Sequence, residues 1–317
     1  MEKTAKILVT TLVVFLIFCP SAYGESSDQW YTGSLLSPSG ALFHKGSVAI
    51  EPYFSAALSG DNFDASGEKR RASTYSRHIV NNTLYKCALT DTLSVQTLPE
   101  IALWQSEGMR RHSGPAIGDL PVDAVVRFLD IHFGRLHPVF NLFVGVGFPT
   151  GRYDNLRASS AATGGGAYVG RFALTEQSSY HLGAGHELRI RLWVNARQPL
   201  GRIRVHGTST YGSRSGRVTL GMTTEAGAAV ELAITHRFVF ALDVDHDFSA
   251  GSLYRADGAG ESDPVRRLSS STSWNVAPAL EYNWSPRFGL IAGVSMVVSG
   301  RNTAASTVPQ FAFNAFF

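Results

Sequence analysis

The sequence predicts an all-β protein, an antiparallel transmembrane β-barrel of about 12 strands, and three observations carry that expectation. An export signal opens the chain. Period-2 alternation of apolar and polar residues then recurs along almost its whole length. The connections between the alternating segments switch regularly between tight turns and long polar loops.

The export signal is residues 1–24. Lys3 and Lys6 supply a short positive start, Ile7 to Phe18 is an uncharged apolar run, and Ala22-Tyr23-Gly24 puts small residues at −3 and −1 of a cut before Glu25. That run is too short to cross a bilayer as a helix. Cleavage removes Cys19 and leaves Cys87 alone, so no intrachain disulfide is expected, and a secreted domain stapled by disulfides is excluded. The formal net charge of +3 falls to about +2 once Glu2, Lys3 and Lys6 are lost. With no concentrated basic face, nucleic acid is not an expected partner. Mean hydropathy is about zero, yet the remaining chain has no run of 18 or more apolar residues. A transmembrane barrel has this signature, because its apolar residues fall at every second position.

The alternation is clearest from Glu187 to Arg197. Leu188, Ile190, Leu192, Val194 and Ala196 take one face, and Glu187, Arg189, Arg191, Trp193, Asn195 and Arg197 take the other. A second segment sets Val218, Leu220, Met222, Ala226, Ala228, Val230, Leu232 and Ile234 against Arg217, Thr219, Thr223, Glu225 and Glu231. A third sets Phe238, Phe240, Leu242 and Val244 against Asp243, Asp245 and Asp247.

Strands are expected at 47–58, 73–89, 93–106, 116–131, 138–150, 167–182, 187–199, 217–234, 237–250, 271–284, 287–299 and 307–317. Thr90-Asp91-Thr92, Gly183–His186, Thr235-His236 and Ser285-Pro286 are the tight connections; 59–72, 151–166, 200–216 and 251–270 are the long ones. Turns on the periplasmic side and loops outside is the asymmetry of outer-membrane barrels, and an even strand number returns both ends to the periplasm. The expected organisation is a signal peptide at 1–24, a periplasmic N-terminal segment at 25–46 and the barrel at 47–317. Phe128, Phe140, Phe238, Tyr282, Trp284 and Phe288 sit beside the short turns, where an interfacial aromatic girdle belongs. Phe317, preceded by aromatic and apolar residues at alternate positions, is expected to act as an address for the barrel-assembly machinery. The bland alternative is a soluble sandwich with one buried face per strand.

Several stretches carry a family likeness. They are Trp30–Leu36, Gly46–Tyr53, Gly118-Asp119-Leu120-Pro121, Val144–Gly151, Pro278–Tyr282 and Pro309–Ala312. Together they resemble the outer-membrane proteins associated with meta-pathway phenol degradation. The resemblance spans about Trp30 to Phe317 and implies a transporter of small, often aromatic or apolar, compounds. It transfers no ligand-binding residue.

If the apolar faces meet lipid, parity turns the polar faces inward. The expected lumen-lining residues are Glu51, Lys86, Glu100, Asp123, Arg127, Arg189, Arg191, Glu225, Glu231, Asp243, Asp245 and Glu281. Arg189, Arg191 and Arg197 form a positive column, and Asp243, Asp245 and Asp247 an acidic one. Such columns can create a transverse field that selects solutes. They can equally pair across neighbouring strands and plug a narrow barrel, with Glu231 placed for Arg189 or Arg191.

Other chemistry finds little footing. The three aspartates could suggest calcium, but alternate strand residues stand about 6.5 Å apart and no glycine loop gathers them, so no metal or other cofactor is expected. None of the 10 histidines forms H-E-x-x-H, and His186-Glu187 stops after one step. His132, His137 and His236 sit at turns. Gly145 to Gly151 lacks the Gly-Lys-Ser/Thr end of a phosphate loop. His112-Ser113 is adjacent rather than spaced as the His-x-Ser of outer-membrane phospholipases, so an enzyme is not expected. Arg70, Arg71, Arg110, Arg111, Arg202, Arg204, Arg214, Arg266 and Arg267 in the long loops could grip lipopolysaccharide phosphates. The leading expectation is therefore a channel or transporter for small-molecule solutes in the bacterial outer membrane. A structural or adhesive barrel with a plugged lumen is the alternative, and an outer-membrane enzyme a more distant one.

Overall fold

The computed structural model describes residues 29–40, 44–107, 111–131, 138–183, 186–258 and 265–317. The signal segment 1–24 lies outside them, as do His132 and His137. Among the described residues, nineteen strands run in chain order. The first eight are β1 (Val48–Phe63), β2 (Lys69–Ala88), β3 (Leu93–Thr97), β4 (Glu100–Glu107), β5 (Arg111–Ser113), β6 (Ala116–Ile117), β7 (Leu120–Asp130) and β8 (Val139–Phe148). Then come β9 (Val169–Gly183), β10 (His186–Pro199), β11 (Ile203–Val205), β12 (Gly216–Thr219), β13 (Thr223–Ala233) and β14 (Phe238–Ser249). β15 (Leu253–Ala256), β16 (Arg266–Arg267), β17 (Ser271–Ser285), β18 (Phe288–Arg301) and β19 (Thr303–Phe316) complete the order.

The main sheet closes on itself as a 12-strand antiparallel barrel. β3 and β4 make up one stave, interrupted at Leu98-Pro99, and β6 and β7 make up another. Closure comes from β1, which pairs with β2 on one side and β19 on the other. At the seam, Val48 and Phe317 exchange two backbone hydrogen bonds of 2.9 Å, so no sheet edge is left open there.

Three of the tight turns are built by the same device. Thr90 Oγ1 accepts from the Thr92 and Leu93 N–H groups, Thr235 Oγ1 from Arg237 and Phe238, and Ser285 Oγ from Arg287 and Phe288. A hydroxyl at the first turn position satisfies amides that the ladder cannot reach. The aromatic residues beside these turns form contacting pairs, Phe128 with Phe140, Phe238 with Tyr282, and Phe288 with both Trp284 and Phe317.

The barrel surface inverts the usual burial rule. Val144, Phe172, Val194, Leu280 and Phe313 are exposed on its outside, while along β10 Glu187, Arg189, Arg191 and Asn195 take the other face and are buried. So broad an apolar band is stable only against hydrocarbon, which places the protein in the bacterial outer membrane.

The expected strands 93–106 and 116–131 are interrupted, at Leu98-Pro99 and Gly118-Asp119, and the expected loop 59–72 is mostly strand, since β1 runs to Phe63 and β2 starts at Lys69. A third expected strand changes face as well. The stretch 217–234 is not continuous, because it breaks at Leu220-Gly221-Met222. β12 leaves the barrel and joins β11, β15 and β16 in a small four-stranded sheet at the long-loop end. The face inverts at the break. Val218, expected outside, is fully buried with Val205, Ile203, Tyr254 and Ala167, whereas Arg217 is exposed. The loops have gathered an apolar core of their own, and its packing overrides the parity of the barrel.

Candidate functional site: the occupied lumen

Strand parity delivers the inward side chains, and register decides which of them meet. Arg189 on β10 lies directly opposite Glu231 on β13 and is hydrogen-bonded to it; Arg191 Nη2 reaches the same carboxylate at 3.5 Å. Asp123 on β7 takes Arg171 of β9 at 2.8 Å, and Trp193 donates its indole N–H to Glu225 at 2.7 Å. Asn275 bridges Asp245 and Asp247.

Of the residues expected to line the lumen, Glu51, Lys86, Asp123, Arg189, Arg191, Glu231, Asp243, Asp245 and Glu281 are buried, and Glu100, Arg127 and Glu225 are half-buried. Arg127 is drawn to the short turn at Thr90-Asp91-Thr92, where it donates to the Asp91 carbonyl and stands 3.6 Å from Asp130. The positive column does not face the acidic one across open space. Glu231 lies between them and holds both arginines of β10.

The interior is occupied by the chain itself. Residues 25–46 were expected as a periplasmic segment; the described part from Gln29 to Gly40 instead runs inside the barrel. Glu281 accepts the backbone N–H of Thr32 at 2.6 Å and of Gly33 at 3.4 Å. Asn283 binds the Trp30 carbonyl and the Thr32 hydroxyl, and Asn314 donates to the Thr32 carbonyl at 3.0 Å. Asp243 accepts the Leu36 N–H at 2.8 Å. Lys86 donates to the carbonyls of Ser39 and Gly40 at 2.6 and 2.7 Å. An extended peptide has unpaired backbone groups on both sides, and buried carboxylates, amides and an ammonium are suited to satisfy them.

Side chains complete the fit. Leu35, 8% exposed, packs against Ala241, Ala277, Ala279, Ile291 and Ala312. The Tyr31 ring lies 3.7 Å from the Arg189 guanidinium, and burial, opposed by that charge, pushes its phenol well above the usual range. Two glycines of β18 make the room. A Cβ at Gly289 would stand 2.2 Å from Thr32 Oγ1, and one at Gly293 2.7 Å from Leu35 Cδ1. At the turn end, Trp30 contacts the His236 ring at 4.2 Å.

Several participants escaped the sequence reading. Asn283 and Asn314 lie at inward parity and could have been included on that ground. The segment itself left one signal: from Gln29 to Phe43 it carries no charge, beside a barrel rich in inward charges. Of the three aspartates at alternate positions, Asp243 accepts the Leu36 N–H, and Asp245 and Asp247 share the Asn275 amide.

No family model matches the sequence, and no curated protein does. Solved structures are similar to the chain to differing degrees. The COG4313 outer membrane channel from Pseudomonas putida F1 superposes with a TM-score of 0.68 at 14% identity, covering 90% of this chain and 100% of that one. The TodX deltaS2S3 mutant monoaromatic hydrocarbon channel gives 0.45 at 10% identity, covering 93% and 97%. The Ralstonia pickettii toluene transporter TbuX gives 0.39 at 8% identity, covering 86% and 90%. The first of these shares the closed outer-membrane β-barrel fold of this chain.

Proposed function

We propose that the protein is an outer-membrane channel for small solutes, closed in this conformation by its own N-terminal segment. The observation that carries this reading is the occupant. A side chain plug would be part of the barrel wall, whereas residues 29–40 form a peptide, bent at Leu35–Ser37, that is no stave of the sheet and is held by hydrogen bonds, so it can leave without breaking the sheet. Once it leaves, the residues a solute passes are Glu51, Lys86, Glu100, Asp123, Arg127, Arg189, Arg191, Glu225, Glu231, Asp243, Asp245 and Glu281.

The family resemblance extends the proposal to aromatic or apolar solutes. Two places inside support that extension: the Arg189 face that carries the Tyr31 ring, and the alanine-lined hole filled by Leu35. Phe317, at the closure seam, is proposed as the assembly address, and the loop arginines as a lipopolysaccharide contact. The second reading, a structural or adhesive barrel with a permanently plugged lumen, is favoured by the number of buried bonds that hold the segment.

Planar-bilayer recording of the full-length chain and of a variant lacking residues 29–40 separates the two. The channel reading expects frequent openings and a larger mean conductance in the deleted variant. A deleted variant that assembles in the membrane and stays silent supports the structural reading.

A further inference from the structure

At the long-loop end of the barrel, beyond the last contact of the N-terminal segment, lies a cavity of about 270 Å³. Four adjacent strands, β10, β13, β14 and β17, line it with Asn195, Arg197, Thr223, Glu225, Asp247, Ser249 and Ser273, among others. Hydroxyls predominate. Ligand sites are usually mainly apolar with a few placed polar groups; this cavity is the reverse.

Its charges are unevenly committed. Glu225 is engaged by the Trp193 indole at 2.7 Å and by Arg197 at 3.6 Å. Asp247 receives only neutral donors among the described residues, the Asn275 amide at 2.8 Å and the Ser273 hydroxyl at 3.4 Å. Asp245, one inward position deeper, receives the same Asn275 amide and no cation among the described residues. A carboxylate accepts up to about four hydrogen bonds, so Asp247 has capacity left for donors brought by a ligand. Two adjacent hydroxyls can satisfy both of its oxygens with charge-assisted bonds, and the surrounding serine and threonine hydroxyls adapt as donors or acceptors to the rest. An anionic group would be set against Asp245 and Asp247 in a partly water-excluded space, where like-charge repulsion is strong.

We propose that this vestibule binds a small solute bearing adjacent hydroxyl groups and no negative charge. The proposal rests on the channel reading for its physiological meaning, and it assigns the vestibule a hydroxyl-bearing class of solute in place of the aromatic or apolar class that the family resemblance suggests. It does not need the lumen to be open. The cavity lies on the long-loop side of the described segment, so filling it does not require the segment to leave. A solute without donors, such as toluene, would find no partner here.

The test is calorimetric titration of the full-length protein in detergent with glucose, glucosamine, glucuronate and toluene. Glucose and glucosamine should bind, and glucuronate should bind at least tenfold more weakly. Asp247→Asn, which keeps shape and removes charge, should weaken glucose at least tenfold; Ser249→Ala should weaken it severalfold with less risk to folding. Equal binding of glucuronate and glucose, no binding of either neutral or cationic sugar, selective binding of toluene, or unchanged affinity in both folded variants would overturn the proposal. Sugar binding by a protein that never conducts would defeat the channel reading and leave this one standing. Conductance without sugar binding would do the opposite.

Discussion

Replacing Leu35 with alanine should shift the channel toward its open state by roughly two orders of magnitude. Leu35 is 8% exposed, and its neighbours Ala241, Ala277, Ala279, Ile291 and Ala312 belong to strands fixed by the closed hydrogen-bond ladder. Walls of short side chains on a closed barrel have little freedom to collapse into the space left behind. Leucine-to-alanine changes in such settings cost about 2–5 kcal/mol. When the segment leaves, residue 35 becomes solvated, so the loss falls on the closed state and leaves the open barrel unaffected. Taking about 3 kcal/mol, the ratio of open to closed molecules rises roughly a hundredfold. Leu36→Ala supplies a graded control, because Leu36 is only partly buried against the same cluster and should shift the ratio less. Open probability in planar bilayers, at fixed voltage and salt, measures the effect directly. An assembled Leu35→Ala channel whose open probability lies within twofold of wild type would refute the reasoning, because the segment would then contribute nothing to closure.

Two further outcomes follow from the pairing inside the wall. Changing Arg189 and Arg191 together to serine leaves Glu231 buried without its cations, so the main effect expected is loss of stability of about 3–5 kcal/mol; folding titrations from lipid vesicles would show it, and a variant of wild-type stability would contradict it. Leu192→Arg puts a charge on the lipid face and should impair assembly by about 2–4 kcal/mol if it lies near the midplane. Asn195→Arg, on the inward face opposite Glu225, should cost far less, and equal folding yields of the two variants would overturn the assigned parity.

The barrel was legible because its rules are local. Parity along Glu187–Arg197 separates lipid from lumen one residue at a time, and Thr90, Thr235 and Ser285 mark turns by chemistry confined to three or four residues. What escaped was non-local. Thr32 meets Glu281 and Asn314 across sequence separations of 249 and 282 residues, and nothing in the periodicity of residues 29–40 forecasts those partners. The segment has no alternation of its own because it is not a stave of the sheet. Val218 escaped for a different reason. Its alternation with Arg217 and Thr219 is real, but it belongs to the four-stranded loop sheet, so the same pattern points the opposite way. The charged columns were visible as residues, yet their function was not, because Glu231 occupies the strand between them and Asp243 is turned to the Leu36 amide.

The central claim, that departure of the N-terminal segment is the opening step, is tested most directly by tethering it. Thr32 Oγ1 and Asn283 Oδ1 are 2.9 Å apart, so Thr32→Cys with Asn283→Cys brings two thiols together, and Cys87→Ser removes the exposed native thiol from interference. Single-channel current should vanish on oxidation of the pair and return on addition of a reductant, with each single substitution insensitive to both treatments. Current through the fully oxidised, cross-linked protein equal to that through the reduced protein would contradict the account.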